Sequence, residues 1–283
     1  MKFKMKIGVY KKKAKETGMY MYQANLKART AEMLAKVPEI TLYFWITKLL
    51  TTALGEVASD YLFEKLNPIF SLPISVAVFI AAMFLQFKAQ KYIASLYWLV
   101  VIMVSIFGTT AADVIRVGLG IPYMASTFFF VIMLAAVLLT WYVKEKSLSI
   151  HSINTRRREV FYWLTVLTTF ALGTSAGDLT ASSLHLGYLA SGIMFFALLL
   201  IPAVCYWLFN MKEVMAFWFA YILTRPVGAS FADWFSAAHA NGGVGYSKGA
   251  VSLVLFIAIV ILVVFRGGAA AKMQESPQAA ANH

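Results

Sequence analysis

From residue 41 to residue 265 the chain is a succession of long apolar stretches separated by short polar joints. Eight stand out, at about 41–63, 69–87, 93–115, 123–143, 160–182, 187–208, 214–236 and 247–265. A hydrocarbon layer about 30 Å thick is crossed by roughly 20 mostly apolar residues in a helix. The runs are continuous rather than alternating, so they predict membrane helices and not the strands of a barrel. The expected fold class is all-α, a polytopic membrane protein of about eight transmembrane helices. The expected organisation is a basic N-terminal arm over 1–40, a transmembrane domain over 41–266 and a tail over 267–283.

Composition agrees with this pattern. Hydrophobic residues make up 60% of the 283, charged residues only 13%, and mean hydropathy is +0.71, values that belong to membrane proteins rather than soluble domains. The first apolar run is too long and too polar inside for a cleavable signal segment. Charge then adds orientation. Twenty of the 25 Lys and Arg residues fall before residue 40, in alternate joints or after residue 265, and in the joints on the other side only Lys65 and Lys248 occur. The positive-inside rule therefore expects both termini in the cytoplasm. The net charge of +12 and the run KKKAK at 11–15 read as a topology signal or a contact with anionic lipid, with no nucleic-acid partner expected. A single cysteine, Cys205, excludes a disulfide framework and a Cys/His metal spacing. No cofactor is expected, and no enzyme signature such as H-E-x-x-H or a nucleotide loop occurs.

An internal repeat carries the chemistry. GEVASD (55–60), GTTAAD (108–113), GTSAGD (173–178) and GASFAD (228–233) each place an Asp five residues after a Gly, and these are all four aspartates of the chain. With 17 glycines in 283 residues, that shared register is a repeat. Each copy is preceded by an aromatic start and an apolar run. The repeats are expected at about 41–92, 93–146, 158–210 and 211–266. A two-helix unit returns the chain to its starting side, so the four copies are parallel, related by an axis near the membrane normal. The aspartates then share one depth, roughly 25–30 Å up their helices at 1.5 Å per residue.

Within each motif Gly55, Gly108, Gly173 and Gly228 each have a small residue four positions on, the pattern that lets membrane helices approach closely. The expected metal or proton site is Asp60, Asp113, Asp178 and Asp233 with Glu56 as a fifth carboxylate, because ionisable residues inside spans usually mark ion paths. Thr109, Thr110, Thr174, Ser175 and Ser230 are the expected secondary oxygens, and Lys48, Arg116 and Arg225 the expected charge partners. His185 and His239, just beyond two of the motifs, read as surface residues. Oxygen donors suit hard cations such as Mg²⁺, Ca²⁺ and Mn²⁺. Crowded carboxylates hold some protons at neutral pH, which favours exchange of a proton for a cation.

KVPEITLYFWITKLLTTALGEVASDYL (36–62), GTSAGDLTA and RPVGASFADWFS resemble a family of bacterial multi-pass membrane proteins built from a four-fold repeat of unknown function. The resemblance runs from about 36 to 266 and implies an inner-membrane protein of four two-helix repeats. It implies no activity. The residues themselves lead to the expectation of a cation transporter, with Mn²⁺ the preferred substrate and proton-coupled efflux the mode. Two alternatives stand beside it: a structural or regulatory membrane protein that uses the motif only for helix packing, and a cation channel.

Overall fold

A computed structural model describes residues 36–66 and 68–280; most of the basic arm lies outside the described residues. Among the described residues there are eight long helices, α1 (Leu42–Lys65), α2 (Pro68–Lys88), α3 (Ala94–Asp113), α4 (Tyr123–Glu145), α5 (Arg156–Asp178), α6 (Gly187–Phe209), α7 (Glu213–Ser236) and α8 (Lys248–Ala280). Among the described residues there is no strand, and the protein is a helical membrane protein. α3 and α5 each continue past their aspartate in a π-helical turn, Val114–Gly118 and Leu179–Ser183. Two helix ends are set by left-handed residues, Lys146 after α4 and Asn210 after α6, a common way to satisfy the last carbonyls.

Among the described residues seven helices are long and apolar enough to cross a bilayer. α1 falls short of that measure because it carries Lys48, Glu56, Asp60, Glu64 and Lys65. It is nonetheless one of four equivalent inner helices. α1, α3, α5 and α7 pack in a closed circuit, each on the next and α7 on α1. The second helices form an outer layer: 72% of the α5 span is buried inside the protein, against 6% of α8. The sequence repeat, an inner helix followed by an outer one, is not the packing unit. Each outer helix lies on the inner helix of the next repeat, α2 on α3, α4 on α5, α6 on α7 and α8 on α1.

Two sets of contacts close the circuit. Every inner helix carries an aromatic pair eleven and ten residues before its motif glycine, Phe44–Trp45, Tyr97–Trp98, Tyr162–Trp163 and Phe217–Trp218. The first ring of each pair meets the tryptophan of the next repeat, with centroids 5.8 Å apart for Phe44–Trp98, 5.6 Å for Tyr97–Trp163, 6.3 Å for Tyr162–Trp218 and 5.7 Å for Phe217–Trp45. Such tilted ring contacts bury large apolar side chains at every junction of the circuit. The glycines give the second set. A Cβ on Gly108 would lie 2.6 Å from that of Phe170, one on Gly173 2.6 Å from that of Arg225, and one on Gly228 2.7 Å from that of Thr52; one on Gly55 would strike Ser105. In all four cases the residue met stands three positions before the glycine of the next repeat. Only hydrogen fits there, so the glycines are notches that draw neighbouring backbones together.

Candidate functional site

Stepping in fours from eleven residues before the motif glycine to five after it gives one stripe down each inner helix, and the four stripes face one another across the repeat axis. At eleven before the glycine stand Phe44, Tyr97, Tyr162 and Phe217, all buried, with the Tyr97 and Tyr162 hydroxyls 2.5 Å apart. At seven before stand Lys48, Val101, Val166 and Tyr221; at three before, Thr52, Ser105, Phe170 and Arg225. One residue after the glycine come Glu56, Thr109, Thr174 and Ala229, again buried. The aspartates end the stripe, half-buried. The interior thus runs from an aromatic seal, through a charged middle, to an acidic mouth.

Arg225 ties the middle together. It is fully buried, and its Nη2 lies 2.5 Å from Glu56 Oε2 and 2.6 Å from Thr174 Oγ1, with Thr109 Oγ1 also in contact; Nη1 donates to the Thr52 carbonyl at 3.2 Å. Thr109 and Thr174 donate to the same Glu56 oxygen at 3.1 and 3.2 Å. One ion pair therefore links α1, α3, α5 and α7. It fits because the fourth repeat has Ala229 at the level of Glu56, leaving room for the guanidinium to rise from a turn below. Pro226 follows Arg225 inside an uninterrupted α7; the helix is not broken there.

Lys48 is the second buried cation. Its Nζ lies 3.9 Å from the centre of the Phe170 ring and 4.2 Å from that of Tyr221, and among the described residues no acceptor is within hydrogen-bond distance. The same Phe170 ring lies 5.3 Å from the Arg225 guanidinium. Arg116 is placed differently, over the Tyr123 ring at 4.1 Å.

Asp60, Asp113, Asp178 and Asp233 each interact electrostatically with Glu56, so one carboxylate from every repeat lies within electrostatic reach of the same buried acid. Among the described residues, however, no group of three or more carboxylate, imidazole or thiolate side chains stands close enough to hold a metal ion directly. Asp60 is engaged by Lys248 at 3.0 Å, which also holds Glu64 at 2.5 Å. Lys248 is a charge partner that its joint position in the sequence did not single out. Thr109 and Thr174 lie on the axis; Thr110, Ser175 and Ser230 are buried at a position two after the glycine, and Thr110 and Ser230 are turned towards the seams. Thr110 bonds Ser59 at 3.0 Å, and Ser230 Oγ lies 3.6 Å from where a Cβ on Gly177 would be. His185 and His239 are exposed, with His239 against the Gly243 carbonyl. A cavity of about 610 Å³ between α1, α6 and α7 is mainly apolar, with Trp45, Phe196, Tyr206 and Phe217 in its walls beside Glu213 and His151, and lies at the aromatic end, away from the motif aspartates and Glu56.

Fold and axis together define a polytopic helical membrane protein of four parallel repeats. The chain belongs to the family of the Repeat of Unknown Function (DUF347), whose profile matches at residues 43–93, 96–147, 161–212 and 216–267. No curated protein and no solved structure matches it.

Proposed function

We propose that the protein is a cation transporter of the bacterial inner membrane, with both termini in the cytoplasm and the acidic mouth facing out. The observation that carries this reading is the axis itself: one carboxylate from every repeat ends the stripe within electrostatic reach of a fifth, Glu56, which lies one turn deeper with Arg225 seated on it as an internal cation. A buried carboxylate is costly without a counter-charge, so a site that holds a guanidinium in one state can hold a substrate cation in another. The carboxylates do not form an assembled chelate. That favours a hard divalent ion that keeps part of its water, with Mn²⁺ preferred and Mg²⁺ the closest competitor. The aromatic seal at the far end of the axis favours alternating access over an open channel, and efflux in exchange for protons is the proposed direction.

In this reading Asp60, Asp113, Asp178 and Asp233 attract the cation, Glu56 receives it, and Thr109 and Thr174 complete its oxygen shell. The packing reading has its own support in the glycine notches and the unassembled carboxylates. Flux decides between them. Proteoliposomes offered Mn²⁺, Mg²⁺, Ca²⁺, Zn²⁺ and Co²⁺ in turn should transport one of them, and the Asp113→Asn, Asp178→Asn double variant should lose that flux while keeping its fold. No flux of any cation in the native protein would favour the packing reading.

A further inference from the structure

Lys48 has no role in the site as described so far, and its surroundings are unusual. A buried ammonium normally finds a carboxylate, a carbonyl or water, because its three donors are expensive to leave unmet. Here the α5 side offers the Phe170 ring and the α7 side the Tyr221 ring. The charged or titratable groups around it are Arg225 and Tyr221 from α7, Tyr162 from α5 and Tyr97 from α3, one turn towards the aromatic end. On its own helix Glu56 is two turns away, already engaged by Arg225; from α8, Lys248 stands at the far mouth with Asp60. No carboxylate therefore faces Nζ, and the two ring faces are what the structure offers an ammonium there, the Phe170 ring being shared with the Arg225 guanidinium.

We propose that Lys48 is the proton-coupling group of the transporter, its Nζ being protonated while Arg225 sits on Glu56 and deprotonated when a substrate cation takes Glu56 and leaves Arg225 without its counter-ion. The argument rests on the transport reading above. With Arg225 and Glu56 paired, the column is neutral next to Lys48, and a proton from water can settle on the nitrogen lone pair, where the two rings stabilise it by cation–π attraction. A substrate cation on Glu56 frees the guanidinium, and a second positive charge at Lys48 is then repelled at short range in a poorly screened interior. The proton returns to water, and no other bond changes. Substrate and proton thus exclude each other, the requirement for exchange rather than co-transport.

The test is flux of the transported cation in proteoliposomes with the voltage clamped by potassium and valinomycin, measured with and without a pH difference, for the native protein and for Lys48→Met and Lys48→Gln. In the native protein a one-unit pH gradient should change the accumulation ratio about tenfold per coupled proton. The two variants should carry the cation down its own gradient and show no response to pH. Two variants are used because Met keeps the length and apolar contacts while Gln keeps a polar end, so at least one should yield folded protein. A pH response in either folded variant equal to that of the native protein overturns the role of Lys48 and leaves transport standing. Absence of flux in the native protein overturns the transport reading and the coupling role with it.

Discussion

Arg225 and Glu56 allow the sharpest prediction. Each is buried, each is the other's counter-charge, and the guanidinium also reaches Thr52, Thr109 and Thr174. Removing one partner of a buried pair leaves an uncompensated charge and costs about 3–5 kcal/mol, whereas replacing both by apolar residues of similar size is often neutral or stabilising. Arg225→Met strands the Glu56 carboxylate between two threonines. Glu56→Met leaves the guanidinium with two threonine hydroxyls, one carbonyl and a ring, and no counter-charge. Each single variant should therefore lose about 3–5 kcal/mol, and the double variant only about 0–2, because Thr109 and Thr174 keep their mutual contact at 3.3 Å. The coupling energy is then at least about 4 kcal/mol, far above the few tenths expected for independent sites. Reversible unfolding in mixed micelles, titrated with SDS, gives all four free energies. Additivity within about 0.5 kcal/mol would refute the argument, because it would mean that the two charges are solvated separately and do not tie the inner helices together. The same double variant should also abolish transport, since it removes the proposed receiving carboxylate.

Gly173 and Gly177 lie one turn apart on α5 and should behave oppositely: Gly173→Ala forces a Cβ to 2.6 Å from that of Arg225 and should cost about 1–3 kcal/mol, while Gly177→Ala meets nothing nearer than 3.6 Å and should be neutral or stabilising by up to about 1 kcal/mol, both read by the same unfolding assay. Lys248→Ala should change stability by less than about 1 kcal/mol, because its partners are partly exposed. Removing that charge from the mouth should lower the apparent KM for a divalent cation about tenfold, the effect of one unit charge roughly 6 Å from a double charge in a water-like dielectric. Tyr97→Phe leaves the buried Tyr162 hydroxyl without its 2.5 Å partner and should cost about 1–3 kcal/mol, whereas combining Tyr97→Phe with Tyr162→Phe should recover much of that loss.

The repeat, the parallel arrangement and the common depth of the aspartates were legible because each rests on spacing alone. Glycine and aspartate keep their register in all four copies, and two helices per copy leave only one sense of direction. Which helix neighbours which was not legible: the notch at Gly228 faces Thr52, 176 residues earlier in the chain, and nothing local announces that closure. The same gap hid the Arg225–Glu56 pair, although both residues were singled out as charges inside spans. Thr110, Ser175 and Ser230 were read with the aspartates because they lie three residues before them. At 100° per residue that leaves them about 60° off the aspartate stripe, enough to turn Thr110 and Ser230 into the seams. A signal was available for the axis: aligning the four copies and reading the columns seven and three before the glycine and one after it gives Lys, Val, Val, Tyr, then Thr, Ser, Phe, Arg, then Glu, Thr, Thr, Ala. Those are the columns in which the repeats disagree about charge.

That disagreement is itself a physical requirement. Four identical chains around an axis would place four copies of every side chain on it, so a Glu at the level of Glu56 would mean four carboxylates in one buried layer and an Arg at the level of Arg225 four guanidinium groups. Neither layer could stay charged away from water. Carrying the four repeats in one chain lets each axial layer hold a single charged residue, and the counter-charge can then come from a different repeat one turn away. The positions that must be equal for the circuit to close, the glycine notches and the aromatic–tryptophan contacts, remain equal or nearly so. The positions on the axis are released to differ. The aspartates are the instructive exception, identical in all four copies. They can be so because they stand at the half-exposed mouth, where water and Lys248 moderate their repulsion, while one turn deeper only Glu56 remains, and it is matched by one guanidinium.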